Sequence, residues 1–197
     1  EGKSLVKTTN RFSGIDWGTE NTAIVYDYWW DTRNRKAYVF NPSNSTSKPK
    51  VLYDRNYQDI YSDPGSFLKT RNTFNKSVLM LYKGNAYLRG AGFSKEGQFP
   101  FIDKLNITTL NKSRVYQSKY TDKVEAIQDY NPSTNELIVR IESPTEYPNY
   151  YSKKTNGKKL SKITHFENPF EELQNVKKEV ITYKRDDGLE LSGILYL

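Results

Sequence analysis

The sequence predicts an all-β fold, because three features of its 197 residues favour strands over helices. Apolar residues almost never recur at the three- and four-residue spacing of a helix. Short strand-like runs are instead separated by Gly, Asn, Asp, Pro and Ser, which mark turns. Aromatic residues make up 14% of the chain, with 16 Tyr, and these side chains favour the half-buried surface of a pleated sheet.

The N-terminal part of the chain contains four such runs in close succession, each followed by turn residues. They are RFSGIDWG (11–18), TAIVYDYWWDT (22–32), RKAYVFNPS (35–43) and PKVLYDR (49–55). We expect these four runs to form one antiparallel unit.

Two further groups repeat this organisation less regularly. The predicted strands of the second group are 77–84, 85–93, 100–109 and 113–118, and those of the third are 125–130, 136–143, 149–155 and 159–166. The segment FEELQNVKKE that follows can form a short helical turn, with Glu171 and Glu172 near its N-terminus. The last two runs, EVITYK and LELSGILYL, flank Asp187-Gly188, which is a strong hairpin signal.

The spacing of the strands that close each group indicates a loose repeat. Val51 and Val115 are 64 residues apart, and Val115 and Ile163 are 48 apart, near the length of one propeller blade. A four-stranded sheet repeated radially is a β-propeller. A β-sandwich of about a dozen strands explains the pattern equally well. On the propeller interpretation, residues 1–175 form about three four-stranded blades, at 11–58, 74–119 and 124–170, and residues 176–197 form an exit hairpin.

The charge balance does not predict a nucleic-acid partner, although 30 Lys and Arg against 23 Asp and Glu give a net charge of +7. The one dense basic cluster surrounds the hairpin signal Asn156-Gly157, so a solvated turn explains it better than a phosphate site does. The cluster consists of Lys153, Lys154, Lys158, Lys159 and Lys162. No apolar stretch approaches the roughly 18 residues that a membrane span needs.

The sequence offers no complete catalytic constellation, metal site or cofactor site. There is no Cys, and the single histidine, His165, has no recognisable partner. The nucleophile motif G-x-S-x-G is absent. Asp186 and Asp187 stand together, but a hairpin turn explains them better than a shared proton does. We therefore predict no catalytic residue, no metal and no cofactor.

Longer stretches of the chain resemble the propeller domain of the prolyl oligopeptidase family of serine peptidases, and within it most closely the glutamyl endopeptidase branch. The resemblance runs from about Trp17 to Leu197, and it is strongest in three stretches. These are the long tryptophan strand within WGTENTAIVYDYWWDTRNRKAYVFNP (17–42), GFSKEGQFPFID (92–103) and KRDDGLELSGILYL (184–197).

The resemblance implies that this chain and a domain beyond it have different roles. In such peptidases a strand similar to LELSGILYL leads from the propeller into an α/β-hydrolase domain that carries the Ser, Asp and His of the triad. We therefore expect the parent to cleave peptide bonds, this segment alone to be inactive, and its role to be the selection of peptide substrates at the entrance. Its expected partners are the missing blades and that domain.

Cleavage after glutamate requires a cation that pairs with the carboxylate of the peptide substrate. The turn-rich segment DIYSDPGSFLKTRN (59–72) offers two such residues just beyond Asp63-Pro64-Gly65. Together with two other arginines, the candidate substrate-binding residues are Arg33, Lys69, Arg71 and Arg89.

Two other function classes stay open at this point. A free-standing β-rich protein could bind a peptide or glycan through the aromatic residues Tyr26, Tyr28, Trp29 and Trp30, which are otherwise core residues between blades. A basic nucleic-acid binder would show an affinity that falls steeply with salt. On the propeller interpretation, the missing blades leave strand edges unpaired, so we also expect edge-mediated oligomers. The compartment is left open.

Overall fold

The computed structural model describes residues 4–173 and 175–197, and nearly all of the regular structure there is β-strand. The first sheet is an antiparallel meander whose strands pair in chain order. Its members are β1 (Arg11–Thr19), β2 (Thr22–Trp29), β3 (Asn34–Phe40) and β4 (Lys50–Asn56). These strands coincide with the four predicted runs, because turn residues separate the runs clearly.

The second sheet has an inner strand that is built from two separate pieces. The chain first forms β5 (Ser66–Phe67), leaves in a hairpin of β6 (Lys69–Arg71) and β7 (Ser77–Leu79), and returns as β8 (Leu81–Tyr82). Both β5 and β8 pair with the next strand, β9 (Asn85–Gly90). The run predicted as one strand over 77–84 is therefore divided at Met80, whose amide donates to the carbonyl of Leu68.

The rest of the second sheet follows in simple order. After β9, a small hairpin of β10 (Phe93–Ser94) and β11 (Gly97–Gln98) precedes β12 (Phe101–Asn106), which pairs with both β9 and β13 (Lys112–Gln117). The predicted strand over 85–93 is correspondingly shorter, because Gly92 has a φ of 67° and turns the chain away from the sheet.

The third sheet and a terminal hairpin complete the described chain. The third sheet is again a meander, of β14 (Val124–Asn131), β15 (Glu136–Glu142), β16 (Asn149–Lys154) and β17 (Leu160–Lys162). A single 3₁₀ turn, Glu171–Leu173, lies within the predicted helical turn, and Gln174 lies outside the described residues. The chain then forms β18 (Lys178–Lys184) and β19 (Glu190–Tyr196), which pair with each other and with no other strand of the described residues. Within the described residues, no helix is both long and apolar enough to cross a membrane.

The core lies between successive sheets. One cluster joins the first and second sheets and includes Ile24 and Leu88, and another joins the second and third and includes Ile102 and Leu137. Each such side chain contributes about 1.5–3 kcal/mol when fully buried. Sheets that stack face to face in chain order are consecutive blades, so the all-β prediction is confirmed as a partial propeller and the two-sheet sandwich is excluded.

A buried polar network also ties the second sheet to the third. Glu125 of β14 is fully buried and accepts a hydrogen bond of 2.6 Å from the Tyr116 hydroxyl of β13. The Lys153 ammonium of β16 lies 3.2 Å from Glu125 and 2.8 Å from the same hydroxyl. Burial raises the pKa of Tyr116, and its hydrogen bond to Glu125 raises it further. Lys153 is therefore a core residue, and the interpretation of the whole lysine cluster as a solvated turn is wrong at this position.

Asn149 fixes the segment that follows β17. The side chain of Asn149 is buried, and its oxygen accepts hydrogen bonds from the Thr164 hydroxyl and the Phe166 amide. Its nitrogen donates to the carbonyls of Tyr147 and Phe166. All the hydrogen-bonding capacity of a buried amide is thereby used, which is what burial requires.

Candidate functional site

One rim of the propeller gathers the connections between sheets, and we call it the crossover rim. It is defined by the loops 57–65 and 118–123, which lead from the last strand of one sheet to the first strand of the next. The antiparallel register places the ends of β2 and β16 at Trp29 and Asn149 on this rim as well. The segment that leads to the terminal hairpin also leaves from here, because β17 ends at this side.

A cleft of about 360 Å³ opens at this rim between the first and second sheets. Strands β1 to β4 supply one wall, and the loop 63–65 together with β5 and Lys69 supplies the other. The second wall packs closely against β9 at Gly65, where a Cβ would overlap the carbonyl group of Arg89. Gly65 also has a φ of 85°. Only glycine fits both conditions without strain.

Asp16 organises the floor of the cleft. One of its carboxylate oxygens lies 2.6 Å from the Lys69 ammonium, and the other accepts a hydrogen bond of 2.9 Å from the Tyr26 hydroxyl. Burial raises the pKa of Tyr26, and the charge on Asp16 raises it further, so the phenol keeps its proton at neutral pH. This side of the cleft is therefore neutralised and satisfied by its own residues.

Two arginines line the other side of the cleft. Arg35 and Arg55 are register partners on β3 and β4, so their side chains leave the sheet side by side. Arg55 donates to the carbonyl of Asp59 and lies 3.9 Å from a carboxylate oxygen of Asp63. The Arg35 guanidinium lies over the ring of Tyr26, 5.2 Å from its centre. Sequence analysis missed both arginines.

The four cations predicted from the sequence are not gathered into one group. Lys69 lies in the cleft, whereas the other three bind backbone carbonyls at separate places. Arg33 stacks on Trp30 and donates to its carbonyl, and Arg71 donates to Asn75 across the β6–β7 hairpin. Arg89 donates to two carbonyls of β14, at the bulge where Gln128 is the extra residue. These bonds place Arg89 as a tie between the second and third sheets.

The aromatic residues of the long tryptophan strand have different environments. Tyr26 is partly buried and packs against the cluster between the first and second sheets. Trp29 and Trp30 are 43% and 64% exposed at the crossover rim. Trp30 and Tyr28 line a shallow cleft of about 480 Å³ that also includes Arg35. The core interpretation thus fits Tyr26, and the exposed Trp30 offers apolar surface beside Arg35.

The terminal hairpin exposes apolar side chains on both of its faces. On β18, Val180 is 75% exposed and its neighbour Ile181 is 41% exposed, although the two point to opposite faces. On β19, Ile194 and Leu195 are likewise 61% and 39% exposed. The Asp187-Gly188 turn closes the hairpin, with Gly188 at a φ of 84°.

The other chemical candidates contribute little to a site. His165 is exposed in the segment after β17. No group of three or more His, Cys, Asp or Glu that could hold a metal ion occurs among residues 4–173 and 175–197. Among the described residues, the charged and polar groups that line the cleft at the crossover rim are therefore the candidate site.

Two curated plant proteins are similar to this chain over its whole length. "Probable glutamyl endopeptidase, chloroplastic" from Arabidopsis thaliana is 32% identical over 212 residues, covering 100% of this chain and 22% of the relative. The protein of the same name from Oryza sativa subsp. japonica is 35% identical over 207 residues, covering 98% and 22%. The chain thus spans about a fifth of the length of these relatives. No protein-family model matches it.

Solved structures give more distant similarity. TolB from Acinetobacter baumannii is 13% identical with a TM-score of 0.41, and the match covers 98% of this chain and 43% of that one. The apo form of the AtxE2 isopeptidase is 12% identical with a TM-score of 0.34, covering 100% and 40%.

Proposed function

We propose that this chain is a non-catalytic propeller segment of a longer serine peptidase of the prolyl oligopeptidase family. The observation that carries the proposal is the similarity of the whole chain to two proteins named as probable glutamyl endopeptidases, of which it spans 22%. The remainder of such a protein is large enough for an α/β-hydrolase domain with a Ser-His-Asp triad beyond residue 197. The segment by itself then has no peptidase activity.

The terminal hairpin supports this proposal. A contiguous apolar surface that is exposed on both faces of a two-stranded ribbon usually meets another protein surface. Val180 and Ile194, which are register partners, are 75% and 61% exposed. In the proposed parent, residues 176–197 lead into the catalytic domain and pack against it, and residues 1–175 belong to the propeller.

The role we propose for the propeller is to control the access of peptides to the triad. The hairpin leaves from the crossover rim, so a domain attached through it would lie against that rim. Loops 57–65 and 118–123 then form the entrance, which short peptides pass and folded proteins do not. Exclusion of water at such an entrance also strengthens electrostatic interactions with the substrate.

Specificity for glutamate is the finer part of the proposal, and it requires a cation near the substrate carboxylate. Of the four candidates, Lys69 lies in the cleft, and Arg33, Arg71 and Arg89 remain candidates at their separate positions. Arg71 can be tested directly in the parent. An Arg71→Ala parent that cleaves after Glu with unchanged kcat/KM removes that residue from the list.

The test of the proposed function compares this chain with the reading frame extended past Leu197. Both are assayed on peptides with Glu or Pro before the cleaved bond, with and without a serine-directed fluorophosphonate. We expect cleavage after Glu by the extended form alone, and its loss with the inhibitor. Cleavage by neither form contradicts the peptidase proposal, and a peptide- or glycan-binding protein that uses the exposed Trp29 and Trp30 then takes its place.

The proposal also has a consequence for the isolated chain. Its exposed hairpin and the outer edges of β4 and β17, which pair with no other strand of the described residues, are surfaces through which copies can associate. We therefore expect self-association in light scattering, and a sharp monomer peak at low micromolar concentration contradicts this expectation.

A further inference from the structure

Two arginines in the first sheet break a rule of strand pairing. Arg35 and Arg55 are directly opposite each other, so their Cβ atoms are about 5 Å apart, and like charges at this separation destabilise a sheet. The next register pair, Lys36 and Asp54, obeys the rule, with an ammonium–carboxylate distance of 3.1 Å on the opposite face. Local rules are usually broken where a function requires it.

The two arginines differ in what holds them. Arg55 supports the loop 57–65 through the Asp59 carbonyl, the Ser62 hydroxyl and the carboxylate of Asp63. Arg35 has the ring of Tyr26 as its neighbour, and no carboxylate oxygen of the described residues lies within 4 Å of its guanidinium. Its fork of donors is therefore available to a ligand that carries a planar anion.

The charges around the cleft match a single added anion. Three cations line it, Arg35, Arg55 and Lys69, against two carboxylates, Asp16 and Asp63. Asp16 is bound to Lys69, and Asp63 accepts the amide of Gly65 at 2.8 Å. The excess of one positive charge thus resides at the arginine pair.

Tyr53 adds a neutral donor beside the arginines. It lines the same cleft and lies next to Arg55 on the same face of β4, two positions away. Within the described part of the chain, no group hydrogen-bonds its hydroxyl. Burial raises the pKa of Tyr53, and Arg35 and Arg55 counteract this only in part. The phenol therefore carries its proton at neutral pH and can donate it in a hydrogen bond.

From this geometry we infer that the cleft between the first two sheets binds the carboxylate of a peptide, with Arg35 as the principal cation and Arg55 and Tyr53 beside it. That the carboxylate belongs to a peptide rests on the proposed function. The adjoining shallow cleft of about 480 Å³ also includes Arg35, and Trp30 and Tyr57 line it. These rings give neighbouring side chains of the peptide an apolar surface to contact.

The test is an NMR titration of the whole 197-residue chain with three short peptides, of which the first two are blocked at both termini. One carries an internal Glu, one carries Gln in its place, and one has a free C-terminal carboxylate and no acidic side chain. We expect the Glu peptide to shift the amides of Arg35, Arg55 and Tyr53, and the Gln peptide to bind at least about tenfold more weakly, since one charge-assisted interaction is lost. The free-carboxylate peptide distinguishes recognition of a side chain from recognition of a C-terminus.

Two matched variants separate binding from folding. Arg35→Gln should weaken binding of the Glu peptide by about tenfold, because the principal cation is lost. The unfolding midpoint in urea should stay unchanged or rise slightly, because a like-charge contact disappears. Lys36→Gln removes the same charge one residue away on the opposite face, and the affinity should then change by less than about twofold. Equal losses from the two variants mean a general charge effect and overturn the inference.

The peptide titration and the cleavage assay of the extended form can fail independently of each other. If the extended form cleaves after Glu but no peptide shifts the amide signals of the cleft residues, the inference is wrong and the peptidase proposal stands. If the Glu peptide binds here and the extended form cleaves nothing, the cleft is a carboxylate site and the peptidase proposal fails. Shifts confined to the lysine-rich turn 153–162, or equal shifts from the Glu and Gln peptides, also overturn the inference.

Discussion

Removal of the Lys153 ammonium should destabilise the chain far more than removal of the neighbouring Lys154 ammonium. Lys153 is 12% exposed and pairs with Glu125, whose side chain is fully buried between the second and third sheets. Lys154 pairs with Glu136 at 3.8 Å, and these side chains are 51% and 42% exposed. The two lysines are adjacent in sequence, so the pair of variants differs mainly in burial.

The magnitudes follow from what each variant leaves behind. Breaking a buried ion pair costs about 3–5 kcal/mol because the remaining charge is left without compensation. Glu125 keeps the hydrogen bond from the Tyr116 hydroxyl, so we expect about 3 kcal/mol for Lys153→Met, at the low end of that range. An exposed pair contributes about 0–1 kcal/mol, and Lys154→Met should stay within that limit.

The assay is urea unfolding at pH 7, followed by circular dichroism, for both single variants and for Glu125→Gln/Lys153→Met. The double variant replaces the buried charge with an amide, so it should recover at least half of the loss caused by Lys153→Met. Unfolding free energies of the two lysine variants that agree within about 1 kcal/mol would contradict a stabilising buried ion pair at Glu125, and so would a double variant no more stable than Lys153→Met.

Three further perturbations test other parts of the structure. Asn149→Ala removes four hydrogen bonds and should cost about 2 kcal/mol, with faster deuterium exchange in residues 163–168. Unchanged exchange means that Asn149 does not fix the segment after β17. Gly65→Ala should destabilise more than Gly188→Ala in thermal unfolding, since both have positive φ but only Gly65 meets the carbonyl group of β9; similar midpoints argue against close packing there. The hydrogen bond from the Tyr151 hydroxyl lowers the pKa of Glu146, so the ionised Glu146 stabilises the fold above the ordinary glutamate pKa and this contribution is lost as the pH falls. In Glu146→Gln, the free energy of unfolding should therefore depend less on pH below about 4.5, and an unaltered slope contradicts this.

The sequence predicts those parts of the fold whose strands are long and bounded by clear turns. Strand β15 alternates regularly between buried and partly buried side chains, whereas β2 is a mostly apolar run that begins just after a turn, and both lie where the sequence predicts a strand. The divided inner strand of the second sheet could not be found in this way. β5 and β8 have two residues each, which is too short for a period of two to show. The excursion between them depends on the pairing of β5 with β9, which follows only after the β6–β7 hairpin and β8.

The candidate site was harder to predict than the fold because it depends on register. Arg35 and Arg55 face each other only through the alignment of β3 with β4, which includes a bulge after Ala37. A shift of one residue would put the two arginines on opposite faces, and the sequence does not set the register across a connection as long as residues 41–49. Two arginines near strand ends, each lacking an adjacent acidic residue on its own face, were the available signal.

The connections at the side opposite the crossover rim join strands of the same sheet, and they have a practical consequence for experiments. The longest of them, residues 41–49, is exposed at Ser45, and the chain contains no cysteine. A single thiol introduced as Ser45→Cys would therefore be unique in the chain. Molecules tethered to a surface through it would all present the arginine cleft and the terminal hairpin to the solution, so one oriented layer could report on peptides and on protein partners alike.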